Sequence, residues 1–365
     1  MTHATDLINT VRALIADPTV AGISIRTWYS STGPTVTPPA GTLVHDGKDS
    51  ESAFFTLPDG RKAITIDSWG SQARRASLGI KRHADQLGYP LVTVYSDDDR
   101  IPDTTSLDWS HRHADATWRA VAPEATAAGI PFEHIRDSHI GEGDALLEHM
   151  PMSIVSGFWD SHTASDKEKA IGATADLKAL SERLKGWGKA SERRRASRIL
   201  TSEIIATGAA PRARFAARVD ALFGAVQLEG ASNYGLGSIP PQKAVKDVTF
   251  DTIEGTAFIS FTYLRRWHFP KHGDNGRAVV ALLALAAHLV ANEDLHLRTG
   301  SDLVVENVMA SVARHGSEDQ PLALPTFDEV AAATRDASAD LGWQARRVRI
   351  SDELVPAYVK VIGGE

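Results

Sequence analysis

Residues 61–87 read RKAITIDSWGSQARRASLGIKRHADQL, a β-patterned run that passes directly into a helical one. The first seven residues, RKAITID, predict a strand. Beyond Asp67, the residues Ala73, Ala76, Ile80, Ala84 and Leu87 recur at three- and four-residue spacing, which predicts an amphipathic helix over 71–87 with Ser71 as its N-cap. Upstream, Leu7, Ile8, Val11, Leu14 and Ile15 share one helical face, and residues 31–41 (STGPTVTPPAG) are loop. Downstream, β-rich runs predict strands at 89–95, 132–136, 153–159 and 257–265, and helical patterns fall at 109–121, 191–207, 276–291 and 327–341. Helix-linked strands therefore alternate with adjacent ones. That order predicts an α+β fold, a sheet with helices packed mainly on one face, rather than a regular doubly wound fold. No repeat or long linker interrupts it. The glycine-rich stretch 228–242 (LEGASNYGLGSIPPQ) is either the tip of a long hairpin or a mobile loop.

The chain is long enough, at 365 residues, to bury a real core, and 42% apolar with 23% charged residues is an ordinary globular composition. Cysteine is absent, which excludes disulfides, thiol catalysis, iron–sulfur clusters and thiolate zinc sites and is compatible with a reducing compartment. The longest apolar run, Ala278 to Ala291, is interrupted by His288 and reads as a buried helix; no membrane span is expected. The first residues, MTHATDLINTVRALIADP, lack an export signal, so a cytoplasmic location is the expectation.

Charge is distributed unevenly. The formal net charge is −7, yet Lys167 to Arg218 holds 13 Lys or Arg against 5 Asp or Glu. A basic segment, 167–218, thus sits on an acidic body, either as a solvated helical face or as a groove for a polyanion. With Ser71 as cap, Arg74 and Arg75 fall in a first helical turn. The 191–207 helix repeats the pattern, with Ser191 as cap, Arg193, Arg194 and Arg195 behind it and Gly208 closing its far end. Cations at a helix N-terminus oppose the macrodipole by a few tenths of a kcal/mol each unless an anion is nearby. A bound phosphate chain would supply one, and so would carboxylates of the acidic body.

Several clusters have a catalytic look. His111, His113 and Asp115 alternate, but on a helix they diverge, and only His111 and Asp115 meet at four-residue spacing. Asp160, Ser161 and His162 follow Trp159 at a strand end, where adjacent side chains point to opposite faces and build no triad; Trp159 reads as core rather than as a base-stacking platform. A G-x-S-x-G elbow, a Walker loop and an H-E-x-x-H helix are all absent, and the glycine pair at 235–237 is no dinucleotide fingerprint. The enzymatic alternative is a metal-dependent nucleic-acid hydrolase built on His111, Asp115, Asp160 and His162, and a third reading is an RNA-independent oligomeric scaffold.

Read in order, DSWGSQARR at 67–75, HRHADA at 111–116, GFWDSH at 157–162, RRRASRILTSEIIATG at 193–208 and LHLRTGSDLV at 295–304 resemble the backbone subunit of the CRISPR type I-G surveillance complex, formerly I-U, a member of the Cas-seven family. The resemblance runs from about residue 60 to the C-terminal SDELVPAYVKVI. Arg74 departs from it, standing where asparagine is usual, and so does Ser301, near a common cysteine position. The resemblance implies one elaborated domain over 1–365 with an RRM-like (ferredoxin-like) core sheet, large insertions and a thumb hairpin, for which 228–250 is the candidate. It implies a protein that is not an enzyme and needs no cofactor or metal. Its partners would be CRISPR RNA, copies of itself in a head-to-tail filament, target DNA through guide pairing, and the other Cascade subunits, namely a Cas-five/Cas-six fusion and a large subunit. Carried over by position, the RNA-binding residues are Ser71, Gln72, Arg74, Arg75, His111, Arg112, His162, Arg194, Arg195, Arg198 and Tyr234.

Overall fold

Strand Val20–Ser31 lies in the middle of an eight-stranded sheet. On one side it pairs with the long strand Ser301–Arg314, whose outer edge carries the short strands His296–Arg298 and Gln320–Leu322. On the other side follow Thr252–Ser260, Leu200–Thr207, Lys62–Asp67 and Phe55–Thr56, and every neighbouring pair is antiparallel. The computed structural model describes residues 2–40, 42–43, 53–159, 175–184, 195–218 and 239–363.

Four helices, Thr2–Ala16, Trp69–Arg82, Gly273–Ala291 and Phe327–Ser338, pack on one another, and two of them also meet strand Leu200–Thr207. Gly273–Ala291 is long and apolar enough to cross a bilayer by composition, but its residues from Ala278 to His288 are all buried within the fold. Where it crosses Trp69–Arg82, a Cβ on Gly79 would lie 2.5 Å from Val290 Cγ2, so only glycine permits that helix spacing. The mixed α+β architecture expected from the sequence is present. The opening helix buries Ile8, Val11 and Ile15 as its periodicity requires, and Phe327–Ser338 starts on a capping box of Thr326 and Glu329.

A two-stranded antiparallel ribbon, Ala210–Arg218 with Ile239–Thr249, extends from the sheet after Gly208. Gly208 has φ +62°, and a Cβ there would fall 2.0 Å from Asp251 Oδ2, so the turn into the ribbon needs glycine. The ribbon fits the hairpin alternative for 228–242, although residues 219–238 lie outside the described ones. A smaller sheet sets Val92–Tyr95 between Arg346–Arg349 and Thr104–Thr105.

Several local expectations are corrected. The 191–207 segment is not a helix over its described part: Arg195–Ala196 and Leu200–Thr207 are strands. Strand Leu200–Thr207 is internal to the sheet, flanked on both edges, and buries Leu200, Ile204 and Ala206 on one face, but polar Ser202 on that face and Ile205 on the other break the apolar alternation in the sequence, and Leu200 with Ile204 imitates a helical spacing. Residues 132–136 are helical, in Phe132–Asp137, with Phe132 and Ile135 buried three apart. Residues 153–159 divide into a helical turn, Met152–Ser156, and the two-residue strand Phe158–Trp159, separated by Gly157 at φ +69°. In place of one helix over 109–121 there are two short turns, Arg112–Ala114 and Ala116–Ala120, with extended Asp115 between them. Finally, Ser68, not Ser71, caps the helix that starts at Trp69.

Candidate nucleic-acid interface

Because the helix starts at Trp69, Arg74 and Arg75 sit in its second turn, and the expected clash with the macrodipole is absent. The two arginines face different surroundings. Arg75 Nε donates to Asp67 Oδ2 at 3.0 Å, and its guanidinium also reaches the carbonyls of Asp294 and Leu297. Gln72 is buried beside it, donating to the same carboxylate oxygen at 2.6 Å and accepting from Ser202 at 3.2 Å. Arg298 lies 3.6 Å from the other oxygen of Asp67, which is fully buried. Gln72 and Arg75 therefore belong to a knot that ties the end of strand Lys62–Asp67 to its helix and to the 294–298 segment. Here the carboxylate alternative weighed for Arg75 is realised.

Arg74 turns the other way. Its Nη1 donates to the carbonyls of Leu107 and Asp108, and the side chain lines a cavity of about 280 Å³ with Gly70, Ser77, Trp109, Ser110, Arg112 and Arg198. Arg112 enters from a segment held in an unusual backbone. Its φ of 54° makes it the non-glycine residue with positive φ among the described residues. Its Nε is sealed from solvent without a hydrogen-bond partner. Burial first, then the positive charges of Arg198 and Arg74, push its pKa down to about 10. Arg198 is brought in by a third segment; its Nη1 donates to the Trp69 carbonyl at 2.7 Å, and burial lowers its pKa as well.

Gly157 brings the last two segments together. A Cβ there would meet the Ala196 carbonyl oxygen at 2.7 Å and Arg198 N at 2.9 Å, so glycine alone lets strand Phe158–Trp159 close on Arg195–Ala196. Phe158 takes the buried side, where His113 meets it edge-on, and Trp159 emerges on the opposite side. Trp159 is 73% exposed and Trp69 is 55% exposed, which corrects the expectation that Trp159 is core. Both indoles line a second cavity, about 680 Å³, together with His111, Arg112, Thr201 and Arg198.

Arg74, Arg112 and Arg198 thus converge from three distant stretches of chain. Among the described residues none of them pairs with a carboxylate, and no acidic residue lines either cavity. The charge character inverts elsewhere: a cavity of about 450 Å³ is lined by Glu133, Asp137, Glu142, Asp144 and Glu148. Cations gathered without counter-charge and partly desolvated form a standing site for an anion, and guanidinium forks suit phosphate oxygens.

The remaining sequence candidates fall in different places. His111 lines the larger cavity, Ser71 is half-buried on helix Trp69–Arg82 and lines neither cavity, and Arg195 is exposed on the strand that pairs with Trp159. Asp160, His162, Arg194 and Tyr234 lie outside the described residues. The helix expected over 191–207, which would have carried Arg194, Arg195 and Arg198, is replaced by strand and loop from Arg195 onward. Asp115 accepts from Thr117 N at 3.0 Å and His111 N at 3.3 Å, so its carboxylate serves as a backbone cap. Among the described residues no group of three or more His, Asp or Glu is placed to hold a metal. The residue that sequence reasoning misses is Trp69, while Trp159 is weighed there as a base-stacking platform and assigned to the core instead. A signal for Trp159 was present: with Phe158 on the core side of a strand, the next side chain must face away from it.

Residues 31–175 match the family described as CRISPR-associated protein GSU0053, a stretch that carries Arg74, Arg112 and both exposed tryptophans. It amounts to less than half of the chain. No curated protein matches. Among solved structures, a chain of "CRISPR RNA-guided surveillance complex, pre-nicking" is similar at 11% identity and a TM-score of 0.37, covering 94% of this chain and 99% of that one, a distant likeness only.

Proposed function

We propose that this protein is a guide-holding backbone subunit of a type I-G CRISPR surveillance complex, binding CRISPR RNA by its phosphates and leaving the bases to pair with target DNA. The observation that carries the reading is the convergence of Arg74, Arg112 and Arg198 on one pocket that no acidic residue lines among the described residues, with the Nε of Arg112 sealed and without a hydrogen-bond partner. Phosphate contacts of this kind fix position without reading sequence, and a subunit that must accept any guide needs that. The family match over 31–175 supports the same reading.

The chain order of the main sheet supports an RRM-like core. Taking Val20–Ser31, Leu200–Thr207, Thr252–Ser260 and Ser301–Arg314 as its four strands, with helices Trp69–Arg82 and Gly273–Ala291 between the first pair and the last, the strands lie fourth, first, third, second across the sheet. The ribbon of Ala210–Arg218 and Ile239–Thr249, which lies in sequence between the second and third strands, is then the thumb. Copies assemble head to tail along the guide, with a Cas-five/Cas-six fusion and a large subunit as further partners, in the cytoplasm and without catalytic turnover.

A salt titration tests this. Single-stranded RNA binding is followed by fluorescence anisotropy between 50 and 200 mM salt for the native protein and an Arg74→Ala, Arg112→Ala, Arg198→Ala variant. Each phosphate contact contributes a slope of about −0.7, or roughly 2.6-fold in affinity across that range. A charge-assisted hydrogen bond contributes about 1.5–3 kcal/mol, so the variant is expected to bind at least ~10-fold more weakly with a shallower slope. Unchanged affinity and slope would overturn the proposal.

A further inference from the structure

We propose that Trp69 and Trp159 form a stacking site for one unpaired nucleobase, next to the phosphate held by Arg112 and Arg198, so that the pocket selects single-stranded over duplex nucleic acid. The proposal rests on the phosphate reading of the arginines and adds what the chemistry of the other wall requires. Trp159 and Trp69 are among the most exposed large apolar side chains described, at 73% and 55%, and both line the 680 Å³ cavity that Arg112 and Arg198 also line. That volume lies within the range, about 300–1,000 Å³, of pockets that hold small ligands.

The two rings are presented, not left over. Trp159 is held by a strand pairing with Arg195 that depends on Gly157, while its neighbour Phe158 is anchored in the core. Trp69 opens a fourteen-residue helix, and its backbone carbonyl accepts from Arg198 Nη1 at 2.7 Å, so that arginine is fixed beside the residue that carries the indole. An indole offers its π-face to any base, which makes stacking tolerant of sequence. A base within a duplex has both faces covered by its neighbours and has no face to offer. Arginines alone would grip either form.

The test uses the full chain and three probes: a single-stranded RNA, an oligomer of the same length with abasic riboses, and a duplex. Loss of one stacked base lowers affinity by about 5- to 150-fold. Trp159→Ala and Trp69→Ala are expected to weaken binding of the single strand by that factor, leave the salt slope unchanged, and leave abasic and duplex binding as in the native protein. Trp159→Phe is expected to restore most of the loss. The proposal fails if both alanine variants bind the single strand like the native protein, if they lose abasic binding equally, or if phenylalanine does not rescue; a protein partner seated on the indoles would give the first of these results. Arg112→Ala separates the two levels. If it weakens all three probes while the tryptophan variants weaken none, stacking alone is wrong, and if it weakens none, the phosphate reading falls with it.

Discussion

Arg112→Gly should make the protein more stable and worse at binding RNA. In the folded chain Arg112 holds φ at 54°, a left-handed conformation that costs a non-glycine residue about 1–2 kcal/mol, and glycine adopts it freely at an entropic cost of ~0.5–1 kcal/mol. Lowering the guanidinium from its ordinary 12.5 to about 10 corresponds to a charge-burial cost on the order of 3 kcal/mol. The sign follows from proton binding: between those two values the unfolded chain holds more protons than the folded one, so stability rises with pH there and the whole cost is present at neutral pH. Against these gains stands the lost packing of the arginine stem, roughly 1 kcal/mol. The balance is a stabilisation of about 2–3.5 kcal/mol, or a Tm higher by roughly 3–5 °C in a chain of this size. Differential scanning calorimetry of the RNA-free protein measures it, and anisotropy at fixed salt should show affinity reduced by ~10-fold or more. A fall in Tm for the glycine variant would refute the reasoning, because it would make Arg112 a satisfied structural group and not one held ready for an anion.

Arg75→Ala should behave oppositely to Arg74→Ala: it strips the closest cation from fully buried Asp67 and leaves Arg298 at 3.6 Å, so a loss of about 2–4 kcal/mol in urea denaturation is expected, against little change for Arg74→Ala. His288 is buried in helix Gly273–Ala291, and burial pushes its pKa to about 4. A histidine lowered from 6.5 loses native stability as pH falls below 6.5 toward 4, about 2 kcal/mol by pH 5; His288→Leu should flatten that part of a pH series of urea midpoints. Gly79→Ala places a methyl 2.5 Å from Val290 Cγ2 and should lower stability by ~1–3 kcal/mol in the same assay.

Much of the fold is legible in the sequence wherever one face is buried and one is wet. Helices Thr2–Ala16 and Trp69–Arg82 show their periodicity because their outer faces are polar. Strand Leu200–Thr207 is misread because Ser202 stands on its buried face and Ile205 on its half-buried one, which blurs the period-two signal. Residues 132–136 fail for a different reason: five residues are too few to separate a period of two from one of 3.6. For the site, composition and motif order pointed to arginines at 74, 112 and 198 but not to their arrangement. Which of two adjacent arginines turns inward to Asp67 and which faces the cavity is decided by tertiary partners, and no local pattern records it. Trp159 reads as core from the sequence because indoles usually pack, and only its alternation with Phe158 points outward; nothing local marks Trp69.

The central claim, that the chain holds guide RNA, is tested most directly by its nucleic acid content. The protein is co-expressed with a CRISPR array and its processing partner, purified through a high-salt wash, and the bound nucleic acid is extracted and sequenced. The account predicts spacer-containing RNA of uniform length on the native protein and its loss from the Arg74, Arg112 and Arg198 alanine variant. Protein free of RNA, or carrying a random cellular mixture, would contradict it.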